Sequence, residues 1–304
     1  MMFLDRLNSL CPGALVRQGE RLDQYTTLRV GGPADFFAEP ENEEQLVALL
    51  AAARDTDTPA LLLGNGSNLL VRDEGFPGLA IRLGKAFSVI TVEGENHVIR
   101  AQAGALLSVL ARAARDAALT GLEFAQGIPG SVGGGVYMNA GAYGGELGGV
   151  IASVRVLTEN GSILTVPGKD MAFSYRHTRA MDKRWIILGA AFSLRSGDPA
   201  AIEAAMRDFA ARRKEKQPLE YPSAGSFFKR PAGHFAGKLI EDAGLKGLTV
   251  GGAQVSEKHA GFLINRGGAT AADFLRLKDL VQEKVEAAFH VRLEPEVEIV
   301  GREG

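Results

Sequence analysis

The sequence predicts an α+β fold, in which antiparallel strand pairs are interspersed with capped amphipathic helices. Alternating apolar and polar residues flank the Asn160-Gly161 pair, and this dipeptide is a strong hairpin signal. Apolar residues at helical spacing follow Asn42, whose side chain can accept a hydrogen bond from the first turn of a helix. At about 150 residues per domain, a chain of 304 residues predicts two domains.

The first portion of the chain supplies most of the predicted strand pairs. Asn42 begins a helix whose apolar face contains Leu46, Leu49 and Leu50. The other predicted elements, in chain order, are strands at 60–63 and 79–83, a hairpin over 88–103, a helix over 106–118, a hairpin over 150–166 and a strand over 185–194. This portion therefore mixes helices with antiparallel strands.

A helix that begins at Asp198-Pro199 and ends before Gln217-Pro218 separates the two portions, because aspartate caps a helix and proline suits its first position. In the second portion, Thr270 and Asp273 form a predicted capping box. The predicted elements there are a helix over 235–243, strands near 249–255 and 260–265, a helix over 270–288 and a last strand over 293–300.

The composition excludes several classes of protein. Lys and Arg total 34 against 36 Asp and Glu, and this net charge of −2 argues against a general nucleic-acid or membrane-surface binder. Cys11 is the only cysteine and the five histidines are scattered, so we expect no bound metal. No apolar run reaches the ~20 residues of a membrane helix, and we expect a cytoplasmic monomer.

Glycine is the abnormal component, at 38 residues, and it clusters at Gly31-Gly32, at residues 64–68 and at residues 127–149, where two loops stand out. The first glycine loop, residues 64–68, follows a predicted strand and is either a tight hairpin or an anion-binding loop. The second, residues 127–135, has a composition that predicts no regular element. Successive free N–H groups there would suit a pyrophosphate, and a flexible surface loop is the alternative. Neither loop has the spacing of a Rossmann or Gly-Lys-Ser/Thr phosphate motif.

Three polar clusters remain. Arg176 lies in a Ser-Tyr-Arg segment, and Ser226 lies between a glycine and two phenylalanines. Glu294, Glu296 and Glu298 would share one face of a strand. Each cluster has an ordinary explanation: a surface arginine, a turn and a solvated strand face.

Taken together and in order, these motifs resemble the UDP-N-acetylenolpyruvoylglucosamine reductase family over nearly the whole chain. The segments are ThrThrLeuArgValGlyGlyProAla at 26–34, GlyAsnGlySerAsn at 64–68, GlyIleProGlySerValGlyGly at 127–134, SerTyrArg at 174–176, GlySerPhePheLys at 225–229 and GluProGluVal at 294–297. The resemblance implies a vanillyl-alcohol-oxidase-like FAD-binding portion and a smaller α+β substrate domain. It also implies that NADPH supplies the hydride that FAD passes to the enolpyruvyl ether of UDP-N-acetylglucosamine, within peptidoglycan precursor synthesis.

The domains implied by the resemblance are contiguous in sequence. They are an FAD-binding portion at 1–213, with subdomains at about 1–65 and 66–213, a substrate domain at 214–292 and a C-terminal strand at 293–304 that returns toward the flavin. The spacing of Arg176 and Ser226 resembles a compact subclass that lacks an inserted tyrosine-bearing loop.

The resemblance also implies the site residues. Arg176 would stabilise the charge on the enolpyruvyl carboxylate, Ser226 would donate the proton, and Glu296 would assist in protonated form. The implied FAD contacts are Gly64, Asn65, Gly66, Ser67, Asn68, Leu69, Gly127, Ile128, Pro129, Gly130, Ser131, Gly133, Gly134, Asn139, Ala140 and Gly141. The implied substrate contacts are Tyr175, Lys216, Arg230 and His259.

Two other functions stay open at this point. One is an FAD-dependent oxidase or dehydrogenase of an alcohol or sugar on the same scaffold. The other is a nucleotide-binding module without redox chemistry, in which the glycine loops hold a phosphate. A role in peptidoglycan synthesis would link the protein to cell-wall biogenesis, cell shape, cell division and the cell cycle.

Overall fold

A computed structural model of the chain describes residues 2–303. The helices are Phe3–Leu10 (α1), Glu43–Asp55 (α2), Leu107–Asp116 (α3), Val132–Tyr137 (α4), Arg179–Asp182 (α5), Pro199–Lys216 (α6), Ala236–Asp242 (α7) and Ala271–Phe289 (α8). The strands of the first half are Val16–Arg21 (β1), Pro33–Ala38 (β2), Ala60–Leu63 (β3), Leu69–Val71 (β4), Phe76–Arg82 (β5), Ile90–Glu93 (β6), Val98–Gln102 (β7), Leu119–Thr120 (β8), Gly141–Ala142 (β9) and Gly145–Glu146 (β10). Those of the second half are Ile151–Leu157 (β11), Ile163–Pro167 (β12), Ile186–Ser193 (β13), Arg195–Ser196 (β14), Ser223–Ser226 (β15), Thr249–Val250 (β16), Ala253–Val255 (β17), Phe262–Asn265 (β18) and Glu298–Val300 (β19).

The chain divides into two compact units that interleave in sequence. Unit one comprises Met1–Val16, Ala38–Asn65 and Ala80–Arg212. Unit two comprises Arg17–Phe37, Gly66–Leu79 and Arg213–Gly304. The domains expected from the sequence are contiguous, and their functional division stays a prediction.

Unit one is built on an antiparallel sheet with the order β12-β11-β13-β7-β6. The predicted hairpins form two of its pairs, with Leu157 opposite Ile163 and Glu93 opposite Val98. Side chains from α3, α4, α6 and this sheet share one core that includes Leu110, Val136, Phe192, Ile202 and Met206. The helix predicted after Asn42 is confirmed, since Asn42 Oδ1 accepts a hydrogen bond from Gln45 N–H at 2.9 Å.

Unit two contains an antiparallel sheet with the order β15-β18-β17-β16, and α7 and α8 supply apolar side chains to its core. The Thr270–Asp273 capping box is confirmed at the start of α8, where the carboxylate of Asp73 also accepts two backbone N–H groups at 2.8 Å. β19 pairs in parallel with β4, and Leu69 faces Glu298. The C-terminal strand therefore lies beside the strand that follows the first glycine loop.

Three expectations about elements are corrected. The second glycine loop contains the regular helix α4, because Gly133 and Gly135 let the helix approach Ala103 and Leu107: an added Cβ would lie 2.9 Å from each. The strand expected near 249–255 is a hairpin, since Gly251 has a φ of +53° and turns the chain between β16 and β17. The last strand begins at Glu298, and residues before it form only an isolated bridge between Phe228 and Pro295.

Within residues 2–303, no helix is long and apolar enough to cross a membrane. The same residues contain no group of three or more histidine, cysteine, aspartate or glutamate side chains placed to hold a metal ion.

Candidate active site

The first glycine loop presents a run of free backbone N–H groups. Gly66 has a φ of +59° and packs closely against the backbone of Tyr25. An added Cβ would lie 1.9 Å from the carbonyl oxygen of Tyr25. Within residues 2–303, the N–H groups of Asn65, Gly66 and Ser67 have no hydrogen-bond acceptor. Successive free N–H groups around a left-handed residue form an anion-binding nest. This donor set suits a diphosphate.

The second glycine loop has fewer free N–H groups. Val132 and Gly133 donate to the carbonyls of Ala105 and Ala103 at 2.7 and 2.8 Å. Gly134 donates to Oγ of Ser131, the N-cap of α4, at 3.4 Å. In the part of the chain that the structure describes, the N–H groups of Gly130 and Ser131 remain without an acceptor. The loop can therefore offer a ligand two backbone donors at a helix start.

Within unit one, the start of the first loop touches the second loop. Asn65 Nδ2 donates to the carbonyl oxygen of Pro129 at 2.5 Å. Gly64 lies so close to Ser131 that an added Cβ would be 2.3 Å from its Oγ. This contact brings the free N–H group of Asn65 to the part of unit one that also holds the free N–H groups of Gly130 and Ser131, and this donor set fits the diphosphate of FAD.

Asn139 is almost entirely buried, and its side-chain amide serves the protein backbone. Its Nδ2 donates to the carbonyl oxygen of Ser174 at 3.1 Å, and its Oδ1 accepts from Gly148 N–H at 2.9 Å. Ala140 accepts from Leu147 N–H at 3.0 Å. The FAD contacts expected from Asn139, Ala140 and Gly141 stay predictions, and both polar atoms of the Asn139 side chain bond the protein backbone.

Arg176 sits at the tip of a two-residue turn. Ser174 and His177 exchange backbone hydrogen bonds at 3.0 and 3.2 Å, and Tyr175 and Arg176 lie between them. Arg176 has a φ of +54°, a left-handed conformation that costs a non-glycine residue about 1–2 kcal/mol. Such strain clusters at functional sites, where the surrounding structure maintains it. Its guanidinium carbon lies 5.0 Å from the centre of the Tyr175 ring, and Tyr175 is half exposed.

In unit two, a backbone hydrogen bond joins Glu296 to the residue that follows Ser226. Glu296 N–H donates at 2.9 Å to the carbonyl oxygen of Phe227, the residue that follows Ser226. Asn68 joins them, since its Nδ2 donates at 3.0 Å to the carbonyl oxygen of Glu296. Its own carbonyl oxygen accepts from Glu298 N–H at 3.0 Å. The end of the first glycine loop is thus bonded to the segment that carries the predicted glutamate.

The expected substrate residues differ in how firmly they are held. Lys216 and Arg230 are exposed, and the guanidinium of Arg230 lies 4.5 Å from the centre of the Phe235 ring. His259 is partly buried, and burial lowers the pKa of its imidazole. Gly261 N–H donates to its Nδ1 at 3.1 Å, so the neutral ring carries its proton on Nε2. His259 is therefore a fixed hydrogen-bond donor.

The predicted site residues are divided between the units. Unit one holds Gly64, Asn65, Gly127, Ile128, Pro129, Gly130, Ser131, Gly133, Gly134, Asn139, Ala140, Gly141, Tyr175 and Arg176. Unit two holds Gly66, Ser67, Asn68, Leu69, Lys216, Ser226, Arg230, His259 and Glu296. The structure brings Ser226 near Glu296, and Asn65 near Pro129. The catalytic and binding roles of all these residues stay predictions.

Sequence reasoning assigned no role to Thr27. Its N–H and hydroxyl reach two segments of unit two, the first glycine loop and the start of β15. The sequence signal that could have pointed to Thr27 is the Thr-Thr-Leu-Arg segment, which contributes to the family resemblance.

Comparisons with known proteins decide the family. Residues 34–167 match the model of an FAD binding domain, and residues 217–300 match that of the UDP-N-acetylenolpyruvoylglucosamine reductase C-terminal domain. The UDP-N-acetylenolpyruvoylglucosamine reductase of Agathobacter rectalis is 49% identical over 309 aligned residues, which cover 98% of each chain. The chain belongs to the UDP-N-acetylenolpyruvoylglucosamine reductase family. It is accordingly an FAD-dependent oxidoreductase, as the sequence predicted.

Solved structures agree with this family assignment. UDP-N-acetylenolpyruvylglucosamine reductase from Thermus caldophilus has a TM-score of 0.81 and 38% identity, covering 94% of this chain and 100% of that chain. A Phl p 4 variant described as a glucose oxidase has a TM-score of 0.50 and 14% identity over 65% of this chain and 44% of its own, and shows the fold alone. The predicted α+β fold with an FAD-binding domain is confirmed. The hypothesis of a module without redox chemistry is wrong for a member of this family.

Proposed function

We propose that this chain reduces the enolpyruvyl ether of UDP-N-acetylglucosamine enolpyruvate to UDP-N-acetylmuramate, with FAD as cofactor and NADPH as reductant. Family membership supports the reaction, since relatives at 49% and 50% identity are UDP-N-acetylenolpyruvoylglucosamine reductases. The observation that supports the residue roles is the backbone hydrogen bond that joins Glu296 to Phe227, the residue after Ser226. A hydroxyl and a carboxyl carried by two bonded segments are groups that can serve the protonation of a carbanion-like carbon.

FAD, when bound, supplies the redox chemistry by accepting hydride from NADPH and giving it to the terminal enolpyruvyl carbon. Hydride addition pushes negative charge into the substrate carboxylate. Arg176 holds that carboxylate and stabilises the added charge, because a fixed cation is worth most where charge develops in the transition state. The strained turn keeps the guanidinium ready before substrate arrives.

Ser226 donates the proton to the carbon next to the one that receives hydride, and the product is a lactyl ether. A serine hydroxyl is a weak acid, so the transfer requires hydrogen-bond range and a strongly basic acceptor. Glu296, in protonated form, donates a hydrogen bond to the substrate carboxylate and reduces repulsion between the two carboxyl groups. The free N–H groups of the two glycine loops hold the FAD diphosphate.

The substrate's nucleotide-sugar is held by Tyr175, Lys216, Arg230 and His259. Lys216 suits the diphosphate as a point charge, and the Nε2–H of His259 donates a hydrogen bond to a carbonyl or hydroxyl oxygen. The protein acts as a monomer in the cytoplasm, where its product enters peptidoglycan synthesis and so serves cell-wall biogenesis, cell shape, cell division and the cell cycle.

Anaerobic stopped-flow absorbance of Ser226→Ala tests the proposal. NADPH should reduce its flavin at the parent rate, because Ser226 has no part in that step. Reoxidation by the enolpyruvyl sugar should slow at least about 100-fold, the lower range for a lost general acid. Ser223→Ala, three residues earlier on β15, is the matched control and should behave as the parent protein.

Two results would contradict the proposal. Equal reoxidation rates in Ser226→Ala and the parent would remove Ser226 from the reaction. If NADPH reduces the flavin of the parent protein but the enolpyruvyl sugar does not reoxidise it, the proposed substrate is wrong.

A further inference from the structure

Thr27 makes three hydrogen bonds that join two functional segments of unit two. Its N–H donates to the carbonyl oxygen of Gly66 at 3.1 Å. Its Oγ1 lies 2.6 Å from the carbonyl oxygen of Ser223 and 3.4 Å from that of Gly66. One side chain thus contacts the first glycine loop and the start of the strand that ends at Ser226.

The segment around Thr27 is held independently of the hydroxyl. Asn265 Nδ2 donates to the carbonyl oxygen of Leu28 at 3.0 Å, and Asn265 N–H donates to that of Pro222 at 2.9 Å. Asn265 is buried, and its Oδ1 also accepts from Gly267 N–H. This second set of bonds maintains the fold of the segment when the Thr27 hydroxyl is removed.

The strand that carries Ser226 needs such support, because it is irregular and lies at the sheet edge. β15 is the edge strand, and its register shifts between Ser223 and Ser226. Gly225 has a φ of +74°, and an added Cβ there would meet nothing within 4 Å. An edge strand has unpaired backbone groups on its outer side, and a bulge re-aims the side chain that follows. Thr27 binds the first carbonyl of this strand from outside the sheet.

We infer that Thr27 is a positioning residue that fixes β15, and with it the Ser226 hydroxyl, at a set distance from the first glycine loop. This inference rests on the proposed role of Ser226 and extends it to Thr27, whose hydrogen bonds go to backbone carbonyls of the protein. The Thr27 hydroxyl acts on proton delivery, while the Thr27 N–H continues to hold Gly66. Loss of the hydroxyl therefore affects flavin reoxidation and leaves flavin reduction intact.

The experiment compares Thr27→Val, Thr27→Ser and the neighbouring control Thr26→Val. Valine has the shape of threonine without the hydroxyl, and serine restores it. Thr26 is a matched control because its buried Oγ1 bonds, among residues 2–303, within its own segment alone, to the carbonyl oxygen of Val30 at 3.0 Å. In Thr27→Val, reoxidation by the enolpyruvyl sugar should slow about 10- to 100-fold, the cost of a displacement near 1 Å at a reacting group. Reduction by NADPH should match the parent, and Thr27→Ser should restore reoxidation.

A readout without cofactor or turnover accompanies the kinetics. Hydrogen exchange of the peptide covering β15 should accelerate in the Thr27→Val apoprotein and remain at the parent rate in Thr27→Ser and Thr26→Val. In the Thr27→Val/Ser226→Ala double variant, reoxidation should be no slower than in Ser226→Ala, because the hydroxyl being positioned is gone.

Several outcomes would overturn the inference. One is parent-rate reoxidation in Thr27→Val. Others are equal slowing of flavin reduction and flavin reoxidation in Thr27→Val, or equal slowing of reoxidation in Thr26→Val. A double variant in which the fold-losses of the two single variants multiply would also overturn it. Ser226→Ala run in parallel separates the two proposals: parent-rate reoxidation there defeats the role of Ser226, whatever Thr27 does.

Discussion

The two glycine loops look alike in sequence but differ in how many backbone N–H groups they leave without an acceptor. In the second loop, three N–H groups at the start of α4 already have acceptors, and its glycines permit close packing against Ala103 and Leu107. In the first loop, three successive N–H groups have no acceptor within residues 2–303. Position 66 requires glycine because its φ is positive. The first loop is thus the stronger candidate for the anion, although the second has more glycines.

The difference teaches that glycine content and anion binding are separate properties. A position can require glycine because a neighbouring group leaves no room for a Cβ, because its φ is positive, or because a ligand approaches the backbone. Only where a ligand approaches is the glycine N–H a binding group. The following changes test the ranking of the two loops, and they run from the largest expected effect to the smallest.

Gly66→Ala should have the largest effect. The added methyl group would overlap the backbone oxygen of Tyr25, and a backbone atom cannot shift as easily as the end of a side chain. Alanine also disfavours the positive φ at this position. We expect a loss of more than about 3 kcal/mol in the free energy of unfolding and little bound flavin. Urea unfolding and flavin absorbance measure both. Gly161→Ala also has positive φ, at +84°, with nothing within 4 Å, and should cost only about 1 kcal/mol. Equal losses in the two variants would show that Gly66 is not tightly enclosed.

Asn65→Ala should have an intermediate effect, because it removes the bond that ties the first loop to Pro129. One hydrogen bond contributes about 1 kcal/mol, so we expect the dissociation constant of FAD to rise about fivefold. Fluorescence titration of the apoprotein measures this constant. Asn42→Ala removes a helix cap of similar energy in α2 and should leave the FAD dissociation constant unchanged. If both variants weaken FAD equally, the effect is one of general stability.

Gly134→Ala should have the smallest effect. Its Cβ would meet only Ser131 Oγ, at an ordinary 3.7 Å, and alanine favours the helix by about 0.5–1 kcal/mol. The apoprotein should become slightly more stable to urea, and the FAD dissociation constant should change by less than about threefold. A loss of FAD affinity larger than that of Asn65→Ala would reverse the ranking and make the second loop the principal anion site.

Local signals in the sequence predicted the elements well. The Asn42 cap, the Thr270–Asp273 box and the Asn160-Gly161 hairpin depend on neighbours within five residues, and all three formed. The α4 helix could not be predicted, because its glycines are required by close packing against Ala103 and Leu107, which lie on other segments. The interleaving of the two units could not be predicted either, since it depends on contacts between distant segments of the chain.

For the candidate site, motif order identified the family, and residue types gave the expected roles. The bond from Glu296 to Phe227, next to Ser226, and the link from Asn68 to Glu296 depend on contacts between distant parts of the chain, which a single sequence does not contain. The same holds for Thr27, whose partners Gly66 and Ser223 are far from it in sequence.

The parallel pairing of β4 with β19 has a consequence for synthesis of the protein. β4 leaves the ribosome early, but its partner is made among the last residues of the chain. Contacts between such distant segments form slowly, and this pairing cannot form until residues 298–300 have been synthesised. Until then, the nascent chain carries the first glycine loop without the strand that lies beside it in the folded protein.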